Sequence, residues 1–329
     1  MRTSRQEAAH QRKIFMTVLI VVIIAAAVLG GGFYFWQQAR ANSSTGSSAE
    51  SQQTGQVQEN PDTVQYQGSR YKYNDHLSNY LFMGIDSRDD VDSYESQQDA
   101  GQADSIFLVS LDRATHQLKV LFIPRDSMTK IEVFNPAGKS LGMTTDHINI
   151  QYAYGDGKQK SCELMKTAVS RMLDDIPIQG YCSMNMDGIS AITDFVGGVE
   201  ITVPDNSLEE VNPDFKEGAV VTLTGENAEQ FVRYRDIGKS QSALVRQERQ
   251  KKAGQDAGFV TDLYGSIKEY SVTNMGTDVF AKLLTASQNG IADTRTVPGE
   301  GTEGKNFDEY IVDKNGLSDL IISMFYEKI

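Results

Sequence analysis

Residues 79–88, NYLFMGIDSR, form a short apolar run that ends in a carboxylate, Asp86. The run is rich in aromatic and branched side chains, which is typical of a buried strand. In α/β sheets, ligands bind just outside the carboxyl ends of the strands. We therefore expect Asp86 to lie close to a functional site.

Two further apolar stretches follow this strand. Residues 106–111 are preceded by Asp104, and residues 118–124 are followed by Arg125 and Asp126. A short polar turn separates the two stretches, which predicts an antiparallel hairpin and therefore a mixed sheet. A single Asp beside a strand is most often a turn residue or a helix cap. Three charged strand ends in one unit favour a site instead, and carboxylates without a nearby His or Cys suit a hard cation such as Mg²⁺.

The middle of the chain alternates strands and helices. Residues 161–173 and 187–196 have the apolar spacing of helices, whereas residues 180–185 and 199–203 have the pattern of strands. This order is typical of an α/β domain.

The chain has two cysteines, Cys162 in the first of these helices and Cys182 in the strand that follows. The helix and the returning strand travel nearly equal distances in opposite directions, so the two sulfurs could meet. A disulfide and two buried thiols are both compatible with this spacing.

Residues 231–252, FVRYRDIGKSQSALVRQERQKK, carry seven basic and two acidic residues in a chain of net charge −13. The pattern predicts a helix ending near Arg233 and a second helix with Arg246 and Gln250 on one face. Arg235 lies two residues after Arg233, on the same side of an extended chain. Guanidinium groups in this arrangement match the oxygens of a phosphate. A solvated basic helix face is the alternative.

The N-terminal part predicts a membrane anchor. Residues 14–36 are apolar and uncharged, and residues 1–13 carry four basic residues and one acid. We expect a transmembrane helix at 14–36 with a cytoplasmic tail at 1–13; a cleaved signal peptide is the alternative. Residues 37–76 are rich in Ser, Gln, Thr and Gly, which predicts a flexible linker to an extracytoplasmic domain at 77–329.

The charge of the outer part argues against nucleic acid as a partner. Beyond Arg40 the chain has 26 basic and 43 acidic residues, a charge of about −17. A nucleic-acid binder normally shows a dominant basic face. The four His residues are not paired with Ser or Cys motifs, so a hydrolase triad is not supported.

Several motifs between residues 79 and 252 together resemble the LytR-CpsA-Psr family, in this order behind a single N-terminal anchor: NYLFMGIDSR, ADSIFLVSLD, LFIPRDS, DFVGGVEITV, LTGENAEQFVRYRD and RQERQ. The resemblance implies a three-layer α/β/α domain with a central mixed sheet, outside the bacterial membrane. It also implies a phosphotransferase that moves a polyprenyl-pyrophosphate-linked glycopolymer, such as teichoic acid or capsule, onto peptidoglycan.

The same resemblance implies a role for each motif residue. Asp86 and Asp104 would hold Mg²⁺ (or Mn²⁺), and Arg125 would be a catalytic contact to the pyrophosphate, with Asp126 supporting Arg125 or the metal. The remaining pyrophosphate-binding residues would be Arg233, Arg235, Arg246 and Gln250.

Two departures from the family pattern stand in this sequence. Gly155 is followed by Asp156 where the family often shows two glycines, and residues 236–246 lack the usual acidic-glycine turn.

The rival hypotheses are a lipid-pyrophosphate hydrolase, which would share every site residue, and a non-catalytic protein that binds wall polymers. A transcription regulator is disfavoured by the acidic charge and by the lack of a helix-turn-helix pattern with basic recognition residues.

Overall fold

The structure, a computed structural model, describes residues 63–88, 91, 101–195, 199–203, 206–233, 268–287, 289–304 and 307–329. Within these ranges it contains fifteen strands and six α-helices. The helices are α1 (Ile150–Ala153), α2 (Gln159–Met172), α3 (Met186–Phe195), α4 (Gly225–Arg233), α5 (Thr277–Ser287) and α6 (Lys314–Phe325). The strands are β1 (Thr63–Tyr66), β2 (Ser69–Tyr73), β3 (Leu77–Ile85), β4 (Ala103–Asp112), β5 (Gln117–Phe122), β6 (Met128–Phe134), β7 (Ser140–His147), β8 (Gly180–Met184), β9 (Val199–Thr202), β10 (Val220–Leu223), β11 (Ser271–Thr273), β12 (Ile291–Thr296), β13 (Gly299–Glu303), β14 (Asp308–Val312) and β15 (Tyr326–Lys328).

Six strands form the central sheet, in the order β11-β8-β3-β4-β5-β12. Strand β4 pairs antiparallel with both β3 and β5. Strand β8 runs parallel to β3, and β12 runs parallel to β5. The predicted β4–β5 hairpin and the predicted central mixed sheet are therefore confirmed.

Strand β3 lies inside this sheet and is covered on both faces. Leu81 and Met83 pack into the core on one face, whereas Tyr80 and Phe82 pack into the core on the other. A strand that is buried on both faces needs no polar alternation. This explains why its sequence is an almost continuous apolar run.

Helices supply the packing partners on the two faces. On the Leu81 face, the core includes Val169 of α2 and Leu320 of α6. On the Phe82 face, it includes Phe280 of α5, and the Phe82 ring stacks on Phe107 with 5.4 Å between the centroids. Each such side chain, once fully buried, contributes about 1.5–3 kcal/mol to folding, so these two cores fix the sheet that positions the site.

The N-terminal boundary of the domain differs from the prediction. Residues 63–76, predicted to be linker, form β1, β2 and a turn, and β2 pairs with β15 from the far end of the chain. In addition, the Tyr66 hydroxyl donates a hydrogen bond of 2.7 Å to Asp319 on α6. The linker prediction is therefore wrong for residues 63–76, because strand partners close to the C-terminus order this segment.

The tail at 1–13, the predicted transmembrane helix at 14–36 and the rest of the linker lie outside the described residues. Among the residues that are described, no helix has the length and apolar character needed to cross a membrane.

The two cysteines are free and buried in different cores. Cys162 belongs to the core on the Leu81 face, and Cys182 belongs to the core on the Phe82 face. Successive residues of a strand point to opposite faces, so Ser183, not Cys182, meets Cys162, with 3.3 Å between the Sγ and Oγ atoms. Of the two alternatives, the structure supports the buried thiols.

Both thiols are expected to be unreactive in the folded protein. Burial raises the pKa of Cys162 to about 12 and raises the pKa of Cys182 well above its usual range. Since the thiolate is the reactive form, a thiol reagent such as DTNB at pH 8 should label neither cysteine in the native chain and two per chain in denaturant. Finding fewer than two thiols in the freshly denatured, unreduced protein would contradict this arrangement.

A smaller unit contains α4, the helix that leads into the basic stretch of residues 231–252. Strands β9 and β10 pair antiparallel, and their apolar residues pack with Ala228 and Phe231 of α4. The Phe231 ring makes an edge contact with Phe215 at 5.4 Å. The structure confirms the predicted helix over Gly225–Arg233.

Candidate active site

The carboxyl end of β3, the start of β4 and the carboxyl end of β5 meet at one edge of the central sheet. The antiparallel registers place Gly84 opposite Ser105, and Phe107 opposite Phe122. This arrangement brings together the four residues predicted at these strand ends, which are Asp86, Asp104, Arg125 and Asp126.

Arg125 lies between two carboxylates. Its Nη1 donates a hydrogen bond to Asp104 Oδ1, and its Nε lies 3.1 Å from Asp126 Oδ1. The Nε contact is a close ion pair without hydrogen-bond geometry, so among the described residues this buried N–H finds no acceptor. Arg125 therefore keeps one buried donor that an oxygen of a bound ligand can use.

The charges around Arg125 keep it a cation. Burial lowers the pKa of Arg125, but the carboxylates of Asp104 and Asp126 outweigh burial and raise the pKa above its ordinary value. The side chain is only 17% exposed. A partly desolvated guanidinium attracts phosphate oxygens more strongly than one in bulk water does.

Whereas Arg125 is held in its charged form, the surroundings of Asp86 disfavour its charged form. Its Oδ1 accepts a hydrogen bond from the backbone N–H of Gln102. Desolvation and the nearby Asp104 charge nevertheless raise the pKa of Asp86. Gly101 has φ +67°, and a Cβ at that position would lie 2.8 Å from Asp86 Oδ1. The positive φ favours glycine at position 101, and a Cβ there would also crowd the carboxylate.

Sequence reasoning missed Asn149, which connects the parts of this site. Its backbone N–H donates to Arg125 O at 3.2 Å, and its backbone O accepts from Ala103 N at 3.4 Å. Its Nδ2 donates to Gln102 Oε1 at 3.0 Å. Asn149 is 3% exposed, and its Oδ1 has no hydrogen-bond partner among the described residues. No periodic or charge signal in the sequence pointed to this residue.

Arg88 links the Asp86 loop to two helices. Its Nη1 donates to Asp187 Oδ1 on α3 at 2.8 Å, and its Nη2 donates to Glu229 Oε1 on α4. The backbone N–H of Met186 also donates to Ser87 O at 3.1 Å. The start of α3 and the middle of α4 are thus held beside the loop that carries Asp86.

The remaining predicted phosphate ligands are only partly covered by the structure. Arg233 is the last residue of α4. Arg235, Arg246 and Gln250 lie outside the described residues, so their roles stay predictions.

The donor set of the site fits a hard cation that binds together with phosphate. In the described ranges there is no group of three or more His, Cys, Asp or Glu side chains that could hold a metal. Mg²⁺, however, usually takes one or two carboxylates and completes its shell with water and substrate phosphates. Asp86 and Asp104 supply two carboxylates, and the charge of Asp104 helps to raise the pKa of Asp86. A cation between them would relieve that repulsion.

Asp86→Asn is expected to raise the Tm slightly in EDTA at pH 7. Because the folded-state pKa of Asp86 is raised, stability is lost as the pH rises through that pKa, and Asn removes this loss. The carboxylate is exposed enough for solvent to screen the effect, so we expect a gain of about 1–2 °C. The gain should vanish below about pH 3, where the carboxyl is protonated in both states.

Asp75→Asn is the matched control for this measurement by differential scanning fluorimetry. The hydrogen bond from Lys72 lowers the pKa of Asp75, so its replacement should change the Tm in the opposite direction. A loss of Tm for Asp86→Asn that is equal at all pH values would contradict the prediction.

The fold and the site together define a class of protein. It is an α/β protein whose sheet edge carries an arginine between carboxylates, next to a pair of carboxylates suited to a divalent cation. Such a set of groups suits the binding of a phosphate or pyrophosphate.

The chain belongs to the LytR_cpsA_psr family, whose profile matches residues 33–323. The polyisoprenyl-teichoic acid–peptidoglycan teichoic acid transferase TagU of Halalkalibacterium halodurans is 30% identical over 199 residues, which are 56% of this chain and 58% of that protein. The protein of the same name from Bacillus cereus is 28% identical over 234 residues, 67% of this chain and 69% of that protein. The chain thus spans little more than half the length of the first relative.

A solved structure agrees with the fold. The crystal structure of Bacillus subtilis TagV superposes with a TM-score of 0.58 at 25% identity, over 76% of this chain and 96% of that chain. The α/β fold with a central mixed sheet is therefore shared with this family member.

Proposed function

We propose that the protein is a phosphotransferase that moves a polyprenyl-pyrophosphate-linked glycopolymer, of the teichoic acid or capsule type, onto peptidoglycan. Family membership and the names of the TagU relatives support this substrate class. The whole reaction is an inference for this chain, because the first of these relatives is matched over only 58% of its length.

The observation that carries the proposal is the setting of Arg125. Its guanidinium is largely buried between Asp104 and Asp126, and its Nε–H has no hydrogen-bond acceptor among the described residues, so it is a preformed donor for a phosphate oxygen. Preorganised donors of this kind stabilise charge that develops in a transition state without further rearrangement. Phosphoryl transfer depends mainly on such positioning and charge neutralisation.

In the proposed reaction, a hydroxyl oxygen of peptidoglycan attacks the phosphorus on the sugar side of the pyrophosphate. A new P–O bond forms, the bond from that phosphorus to the bridging oxygen breaks, and the lipid phosphate leaves with the electron pair. Arg125 binds a pyrophosphate oxygen, and Arg233, Arg235, Arg246 and Gln250 complete the phosphate contacts. The hydroxyl proton passes to one of the aspartates of the site.

Asp86 and Asp104 would hold Mg²⁺ or Mn²⁺, and Asp126 would support Arg125 or the cation. When bound, the cation neutralises charge on the pyrophosphate oxygens. Asn149 and Gln102 keep Asp86, Asp104 and Arg125 in register through the hydrogen bonds described above.

We also infer that the domain works outside the bacterial cell membrane, in the three-layer α/β/α arrangement of its family. The apolar residues 14–36 would anchor it as a single-pass helix, with residues 1–13 in the cytoplasm. This placement brings the site to the lipid-linked donor and to the wall acceptor.

The test uses the purified full-length chain in detergent with a polyprenyl-pyrophosphate oligosaccharide that is radiolabelled in the sugar, Mg²⁺ and peptidoglycan fragments. Label on the peptidoglycan, dependent on the divalent cation, is the expected result. Released phosphorylated sugar without attachment would identify a lipid-pyrophosphate hydrolase instead. Binding of the donor without any turnover would leave a non-catalytic wall-polymer binding protein.

A further inference from the structure

The loop that carries Asp86 is tied to the helix that leads into the basic stretch. Arg88 lies two residues after Asp86, and its guanidinium bridges Asp187 on α3 and Glu229 on α4. The Glu229 side chain is only 13% exposed. A carboxylate with so little solvent depends on its ionic partner more than a surface carboxylate does.

The spacing along α4 shows which face of the helix Arg88 contacts. Glu229 lies four residues before Arg233, which is the last residue of the helix. Positions i and i+4 of a helix share a face and are separated by about 6 Å along the axis. The side of α4 that Arg88 engages is therefore the side on which position 233 lies.

The apolar residues of α4 pack into a core of their own, separate from the contact with Arg88. Ala228 and Phe231 pack with Leu223 and Phe215 in the small core of the β9–β10 unit. Ile189 of α3 packs against this small core and also against the core on the Phe82 face of the central sheet. The ion pair with Arg88 adds a polar contact between α4 and the loop that carries Asp86. Small displacements of binding groups are costly in catalysis, since an error of about 1 Å can lower rates 10²-fold.

We propose that Arg88 is a positioning residue for the transfer reaction. Its two ion pairs hold α4, which extends to position 233, beside the loop that carries Asp86. The proposal rests on the proposed function, because it assigns Arg88 to the same pyrophosphate site. Arginine suits this role because its planar fork can serve two carboxylates at once, which a lysine ammonium does less well.

The first measurement needs no substrate. Hydrogen exchange of the amides in residues 225–233, followed by mass spectrometry on the full-length chain, should become about 2- to 5-fold faster in Arg88→Gln. Glu229→Gln should have the same effect. Lys72→Gln is the control, since Lys72 forms a surface ion pair with Asp75 and its side chain is 40% exposed, close to the 45% of Arg88. The control should leave the exchange of residues 225–233 unchanged.

The second measurement separates positioning from catalysis. Because Arg233, at the end of α4, would contact the donor already in the ground state under the proposed function, Arg88→Gln should raise the KM for the lipid-pyrophosphate donor about 5- to 10-fold and change kcat much less. Arg88→Lys should show an intermediate KM. The double variant with Glu229→Gln should be no worse than the poorer single variant, as expected for one shared contact.

Three results would overturn the proposal. One is unchanged exchange and unchanged KM in both single variants. Another is a large loss of kcat in Arg88→Gln but not in Glu229→Gln, which would make Arg88 a direct substrate contact. The third is a double variant with the summed loss of the two single variants. If the wild-type chain transfers no label, the proposed function fails, and the exchange data still show whether Arg88 holds α4.

Discussion

Arg125→Ala is expected to lower kcat/KM for glycopolymer transfer by at least about 10²–10³-fold. The substitution removes the guanidinium that donates to Asp104 and lies 3.1 Å from Asp126. Without it, the carboxylates at this sheet edge would face an incoming pyrophosphate with uncompensated negative charge. The loss should therefore appear in both donor binding and the chemical step, measured by transfer of label under single-turnover conditions.

Stability must be followed in the same variant. The Asp104 side chain is only 8% exposed, and removing one partner of a buried ion pair costs about 3–5 kcal/mol. Arg125→Lys separates the two effects, because it keeps the charge and loses the planar fork. We expect it to retain most of the Tm and to lose about 10- to 100-fold in transfer.

Arg113→Ala is the matched control for Arg125→Ala. Arg113 lies at the β4–β5 turn, at the opposite edge of the sheet, and donates to the backbone oxygens of Asp75 and His76. It should leave transfer unchanged. A folded Arg125→Ala protein with wild-type transfer would remove the basis of the proposed mechanism.

The position of the site could be predicted because the directions of the strands determine which strand ends meet. Once β4 is antiparallel to β3 and β5, residues after the first strand, before the second and after the third must meet. Asp86, Asp104 and Arg125 occupy these positions, so the charge pattern alone indicated their neighbourhood. Their individual hydrogen bonds depend on side-chain packing, which the pattern does not contain.

The N-terminal boundary could not be predicted from local sequence. The segment SRYKY in β2 has no apolar run, and its strand partner β15 lies more than 250 residues further along the chain. Pairing between such distant segments leaves no local periodicity. The same holds for Arg88 and Asn149, whose partners come from other elements through the tertiary fold.

In the cysteine pair, a shift of one residue along the strand determines whether a disulfide can form. The helix and strand lengths correctly indicated that α2 and β8 return to the same level. Because side chains alternate along a strand, moving by one residue exchanges Cys182 for Ser183 as the neighbour of Cys162. A distance argument without the register therefore could not separate a disulfide from two thiols.

Gly155→Ala is expected to cause the largest loss of stability among single methyl additions in the turn before α2. A Cβ on Gly155 would lie 2.2 Å from the Oγ and 2.3 Å from the backbone N of Ser161. Ser161 is fully buried, and its Oγ accepts a hydrogen bond from Gly157 N at 2.8 Å. The backbone of α2 cannot yield as a flexible side chain would.

The residue after Gly155 strengthens this turn. Asp156 Oδ1 accepts hydrogen bonds from the backbone N–H groups of Lys158 at 2.8 Å and Ser161 at 3.3 Å. An acceptor near the first turn of a helix satisfies amides that have no partner within the helix. Asp156, which replaces the second glycine of the family pattern, thus stabilises the start of α2 and keeps Gly155 close to it.

Gly155→Ala should therefore destabilise the fold by about 3 kcal/mol or more, as overpacking in a rigid site does. This corresponds to a fall in Tm of about 6–12 °C for a domain of this size. Gly218→Ala is the control, since a Cβ there meets no atom within 4 Å and only the positive φ of +80° is strained. It should cost about 1–2 kcal/mol. Equal losses in the two variants would mean that the close approach to Ser161 is not what requires glycine at position 155.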